Sequence, residues 1–92
     1  MGTLFVIGRP LETETLPAAM EGLAARGEKV HVLFLQCGVG NAADEKLLRR
    51  MGFAESLSCL DADVELAEGV GRVDYIGWVR LIEACERVVS WT

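Results

Sequence analysis

The sequence predicts one α/β domain over residues 1–92, a three-layer sandwich on a small, mostly parallel sheet of four or five strands. Three observations predict it. Short apolar runs alternate with stretches whose apolar residues recur at helical spacing, and the connections between them are short. One run, Val30-His31-Val32-Leu33-Phe34-Leu35, is apolar on both faces, as a strand inside a covered parallel sheet must be. A chain of 92 residues has room for a single domain.

Thr3–Ile7 is a β-rich run closed by Gly8-Arg9-Pro10, so it reads as a buried first strand. Leu16, Ala19, Met20, Leu23 and Ala24 then fall on one face of a helix, with Thr15 as N-cap, Pro17 in the first turn and Gly27 at C′. Val30–Leu35 is the second strand. Asn41, with Asp44 three residues on, resembles a capping arrangement for a second helix. Its stripe is Ala43, Leu47, Leu48 and Met51, and Gly52 closes it. Leu57–Leu60 is a third strand, followed by the acidic segment Asp61–Glu68 and a brief fourth strand at Val70–Val73, weakened by Gly71. Asp74 caps a last helix in which Trp78, Leu81, Ile82 and Cys85 share a face. Val88–Trp91 reads as an edge strand.

Composition narrows the function. The net charge is −5, and the basic residues are scattered, so the electrostatic footprint of direct nucleic-acid binding is missing. A membrane-surface role is disfavoured for the same reason, no apolar run approaches a membrane span, and the chain reads as cytoplasmic. Hydrophobic residues make up 51%, which in so thin a domain points to a subunit interface. The three cysteines, Cys37, Cys59 and Cys85, are odd in number and lack C-x-x-C spacing, so neither a disulfide framework nor a zinc pattern forms. No cofactor is implied, and Asp61, Asp63, Glu65 and Glu68 read as a solvated acidic face.

Sites in such folds gather beyond the carboxyl ends of the strands. That puts Gly8-Arg9, Gln36–Gly40 and Asp61–Asp63 on one rim. Cys37 follows the second strand and precedes a helix, where unpaired N–H groups and the helix dipole favour a thiolate. It is the candidate persulfide site, weighed against a small apolar residue filling a turn. Arg9, Gln36 and Gly38 are rim candidates; Arg9 suits a carboxylate or an incoming sulfur anion. The stretch Gly38-x-Gly40-x-x-Ala43, with Asp61 after the next strand, also matches a dinucleotide fingerprint. In a lone half of this size it would bind a phosphate or mononucleotide at best. Cys59 reads as core, Cys85 as packing on the last helix, and His31 as hydrogen-bonded or edge-facing.

Val73-Asp74-Tyr75-Ile76-Gly77-Trp78-Val79-Arg80-Leu81, with Val88-Val89-Ser90-Trp91, resembles the closing segment of the DsrH/TusB proteins. Leu33–Val39, with Ala42-Ala43 beyond it, is similar to their second strand and turn. The resemblance covers most of the chain and implies a DsrE-like fold. It implies assembly with DsrE/TusD-like and DsrF/TusC-like subunits, or self-association, and contact with sulfur-carrier proteins. It also implies a sulfur-relay role, in tRNA 2-thiouridine synthesis or dissimilatory sulfur metabolism. The family usually carries Asp or Asn where this chain has Cys37, so the resemblance supports the turn rather than the thiol. Three readings follow: a supporting relay subunit, a persulfide carrier through Cys37, and a small nucleotide- or phosphate-binding module using Gly38–Ala43.

Overall fold

The computed structural model describes residues 2–11, 15–35, 40–41, 44–60 and 69–91. The elements run β1 (Gly2–Ile7), α1 (Thr15–Ala25), β2 (Lys29–Phe34), α2 (Glu45–Arg50), β3 (Ser56–Leu60), β4 (Val70–Val73), α3 (Tyr75–Ala84) and β5 (Arg87–Trp91). The strands form one five-stranded sheet in the order β4-β3-β2-β1-β5, and every pair is parallel. From β1 to β4 the chain steps toward one edge. It then returns through α3 to the far edge, where β5 pairs with β1.

That reversal makes the sandwich. A crossover of fixed hand puts its helix on one face when the chain steps one way and on the other when it steps back. Phe5, Ile7, Val30, Val32, Phe34 and Cys59 point to one face and pack against Leu16 and Met20 of α1, Leu48 of α2, and Met51. Leu4, Val6, Leu33 and Leu35 point to the other face, where Trp78, Leu81 and Cys85 meet them. Among the described residues, the α1–α2 side holds most of the fully buried ones, and α3 is the one helix on its side.

Local signals explain most boundaries. Gly27 sits at φ 91°, with Glu28 N–H donating to the Leu23 carbonyl and Gly27 N–H to that of Ala24, so α1 ends in a complete Schellman motif. The buried stripe of α1 is Leu16, Pro17 and Met20, flanked by Leu23 and Ala24, while Ala19 is exposed. Ala19 lies about 100° round the helix from Met20, whereas Pro17 lies about 60° from it. The fourth strand forms as expected, despite Gly71, because its register with β3 is complete from Leu57↔Val70 to Leu60↔Val73.

Two expectations are corrected. Asn41 does not cap α2. Asp44 does, its Oδ1 accepting from Leu47 N–H at 3.2 Å, and the helix begins only at Glu45. The short Asp carboxylate is better placed because it immediately precedes the first helical residue. In α3, Ile82 stands on the flank of the buried stripe and is exposed, while Trp78, Leu81 and Cys85 face the sheet. No helix among the described residues is long and apolar enough to cross a membrane.

Candidate functional site

Because all five strands are parallel, their carboxyl ends form one rim, bearing Gly8-Arg9, Leu35, Leu60, Asp74 and the end of β5. Hydrogen bonds tie the rim together. Gly8 N–H donates to the Trp91 carbonyl at 2.9 Å, and Leu35 N–H donates to the Ile7 carbonyl at 2.9 Å. Asn41 is the main brace. Its Nδ2 donates to the Arg9 carbonyl at 3.0 Å, and its Oδ1 accepts from Leu11 N–H at 3.1 Å. The side chain is buried, so one amide bolts the loop after β1 to the segment after β2. The sequence offered one signal for this role, an Asn directly after the Gly38-Val39-Gly40 stretch, and it suits a cap equally well.

Arg9 is exposed on this rim, and its guanidinium makes no ion pair among the described residues. Gln36, Cys37 and Gly38 lie outside the described residues, as do Ala42-Ala43 and the acidic stretch Asp61–Glu68. The fingerprint at Gly38–Ala43 was expected to open a helix. Instead Gly40 and Asn41 form a 3₁₀ turn and α2 starts at Glu45, with the Asp44 carboxylate at its N-terminus. A carboxylate there repels the anion that a dinucleotide loop must hold.

The described thiols are inland. Cys59 is fully buried between β2 and β4, its Sγ donating weakly to the Leu60 carbonyl at 3.6 Å. Burial pushes its thiol above the ordinary value, with the Arg72 guanidinium opposing the shift. Cys85, at the end of α3, is partly buried, and burial pushes its thiol up as well. His31 is hydrogen-bonded, as expected: its Nδ1 lies 2.7 Å from Ser56 Oγ on the neighbouring strand. Among the described residues no group of His, Cys, Asp or Glu could hold a metal ion.

The molecule's other conspicuous surface is apolar. Tyr75, Ile76 and Val79 on the outer side of α3 are 69%, 65% and 50% exposed, and Ile82 adds to them. On β5, Val88 is exposed on the α3 face of the sheet, while Val89 and Trp91, register partners of Phe5 and Ile7, are exposed on the α1–α2 face. Tyr75, Ile76 and Val79, with Arg80 and Glu83, line a groove of about 360 Å³. Asp74 fixes the start of this helix, its Oδ1 accepting from Gly77 N–H at 2.8 Å. Tyr75 leans on Trp78, with ring centroids 5.9 Å apart. The Trp78 indole N–H is buried and has no hydrogen-bond partner among the described residues. The sequence placed Trp78 and Leu81 facing the sheet but gave no sign that the opposite side of α3 would be equally apolar and uncovered.

No protein-family model matches the chain, and no curated protein matches it. Among solved structures, it is similar to the crystal structure of the YchN protein from E. coli, with a TM-score of 0.69 and 10% sequence identity. The likeness covers 98% of this chain and 97% of that one. At that identity the likeness concerns the fold. The chain therefore has the DsrE-like α/β sandwich that its closing segment led one to expect, over nearly its whole length.

Proposed function

We propose that this chain is a subunit of an intracellular sulfur-relay assembly and supports persulfide transfer chiefly by association. The observation that carries the reading is the apolar outer surface of α3, formed by Tyr75, Ile76 and Val79. A helix apolar toward the sheet and apolar again on its outer side has the pattern of a helix buried on both. Contiguous exposed apolar surface of this kind marks an interaction site. Arg80 and Glu83 border the groove with opposite charges, which favours one register of contact over others. The partners of fitting kind are DsrE/TusD-like and DsrF/TusC-like subunits, with sulfur-carrier proteins as the next station. Self-association is the homomeric form of the same contact. The fold shared with YchN is consistent with a relay role in the coarse sense, and the resemblance of the closing segment is what suggests tRNA thiolation or dissimilatory sulfur metabolism as its setting.

Co-expression with DsrE/TusD-like and DsrF/TusC-like subunits, followed by light scattering on the purified material, tests this. The wild type should elute in a complex of defined mass. Ile76→Asp with Val79→Asp should abolish the complex while leaving the chain's circular dichroism unchanged. A wild type that stays monomeric both alone and with those subunits at micromolar concentration would sink the proposal.

A second reading has one observation in its favour: β2 is the central strand, and Gln36-Cys37 come next in sequence after Leu35 at its carboxyl end. On that reading Cys37 carries sulfur itself. Wild type treated with a persulfide donor then gains one sulfur atom by intact mass at Cys37, and Cys37→Ser does not.

A further inference from the structure

At the amino end of the sheet, opposite the rim, a thiol and an imidazole flank a glycine, and a serine hydroxyl holds the far side of the imidazole. His31 and Ser56 are register partners on β2 and β3, so both point to the α3 side, where His31 Nδ1 meets Ser56 Oγ at 2.7 Å. Leu4 is the register partner of His31 on β1, and Gly2, two residues earlier, shares its face. A Cβ placed on Gly2 would lie 3.6 Å from Cys85 Sγ, 3.6 Å from His31 Cδ2 and 3.7 Å from His31 Nε2. The thiol at the end of α3 and the free edge of the imidazole thus flank the same small space, which exists because residue 2 has no side chain. His31, Ser56 and Cys85 are each partly exposed, so a reactant can reach them. Among the described residues, Nε2 has no other partner.

We propose that Cys85, His31 and Ser56 form a sulfur-accepting thiol site, with Cys85 as nucleophile, His31 as its base and Ser56 as the residue that positions the ring. This is the nucleophile–base–orienter order that thiol chemistry requires. Ser56 Oγ engages Nδ1 and leaves Nε2 at the Gly2 space that the Cys85 thiol also borders. Burial pushes the Cys85 thiol up, and the carboxyl end of a helix gives a thiolate no help, so a neighbouring base is what makes attack feasible. The reactant is a protein or small-molecule persulfide. His31 takes the Cys85 proton as Sγ forms a bond to the donor's outer sulfur. The donor's S–S bond breaks, its electron pair leaves on the donor thiolate, and that thiolate takes the proton from His31. The products are Cys85 persulfide and donor thiol, with no net oxidation. The proposal rests on the relay reading for its substrate but on none of its interfaces.

Treatment with cysteine hydropersulfide, then alkylation and peptide mapping, tests it. Cys85 should gain one sulfur atom in the wild type and in Cys37→Ser, and Cys85→Ser should lose that gain. His31→Gln should slow the gain about a hundredfold, the low end of what a positioned base supplies. Gly2→Ala should slow it roughly tenfold or more, because a methyl at ordinary contact distance fills the space without forcing its neighbours apart. Ser56→Ala should slow it and Ser56→Thr restore it, which loss of packing alone would not produce. Thermal melts of each variant confirm that the fold is kept. The site is overturned if Cys85 takes no sulfur, or takes it equally fast in His31→Gln and Gly2→Ala. An assembly-competent wild type with unmodified Cys85 overturns this site and leaves the relay subunit standing. A chain that loads Cys85 but joins no complex does the reverse.

Discussion

Asn41 has a primary amide with two donors and an acceptor, and it uses both kinds of atom on a single loop. Its Nδ2 and Oδ1 satisfy the Arg9 carbonyl and the Leu11 N–H, two backbone groups that no strand or helix pairs. Asn41→Ala leaves both to water or to nothing. The expected loss is about 1–2 kcal/mol, from two hydrogen bonds of roughly 1 kcal/mol net each. A thermal melt should show it as a fall of roughly 5–10 °C for a domain of this size. Asn41→Asp keeps the acceptor and loses the donor, so it should fall between. A melt of Asn41→Ala indistinguishable from wild type would show that the brace is incidental. The role was illegible in the sequence, because an Asn before a helix serves as cap or as loop brace by chemistry that looks the same. Cys59 was legible, since a thiol inside an apolar strand has nowhere to go but the core. Cys37 was legible only as a position, the residue two beyond Leu35.

At the scale of elements, termini were read best where one residue type satisfies a specific backbone need. Gly27 at the end of α1 and Asp74 at the start of α3 are both as expected, because a left-handed φ and an unpaired helix N–H each admit few solutions. Asp74→Ala should cost about 1 kcal/mol in chemical denaturation, and Asp74→Asn or Asp74→Ser should recover most of it. Equal stability of all three variants would mean that solvent satisfies Gly77 N–H as well as Asp74 does. The helix faces were read less well. Pro17 rather than Ala19 completes the buried stripe of α1, and Ile82 falls outside that of α3. Periodicity fixes the middle of a stripe, but its flanks depend on how the helix crosses the sheet, and that is decided by residues far away in sequence.

For the whole molecule, the alternation of elements was sufficient to specify a parallel three-layer sandwich, because crossover handedness and two-sided burial leave few alternatives. What no single stretch could reveal is the imbalance between the layers. Among the described residues, two helices serve one face and α3 alone serves the other, and the apolar residues on the outer side of α3 stay outside. If that surface is covered in an oligomer, association and folding are linked, and the melting temperature must rise with protein concentration. We expect a rise of several degrees over a hundredfold concentration range, absent in Ile76→Asp with Val79→Asp. A concentration-independent melt for the wild type would mean that this surface is not buried against another copy.

The position of β5 has a consequence during synthesis. β5 follows the other four described strands, yet it pairs along β1, from Thr3↔Arg87 to Ile7↔Trp91. Until Tyr75–Trp91 has left the ribosome, β1 keeps an open edge, and Leu4, Val6, Leu33 and Leu35 have no helix over them. Any nascent sheet made of β1 to β4 is therefore a sticky, half-covered intermediate, the kind that chaperones hold. Closing it joins residues more than eighty positions apart, so folding should be slow for so small a domain.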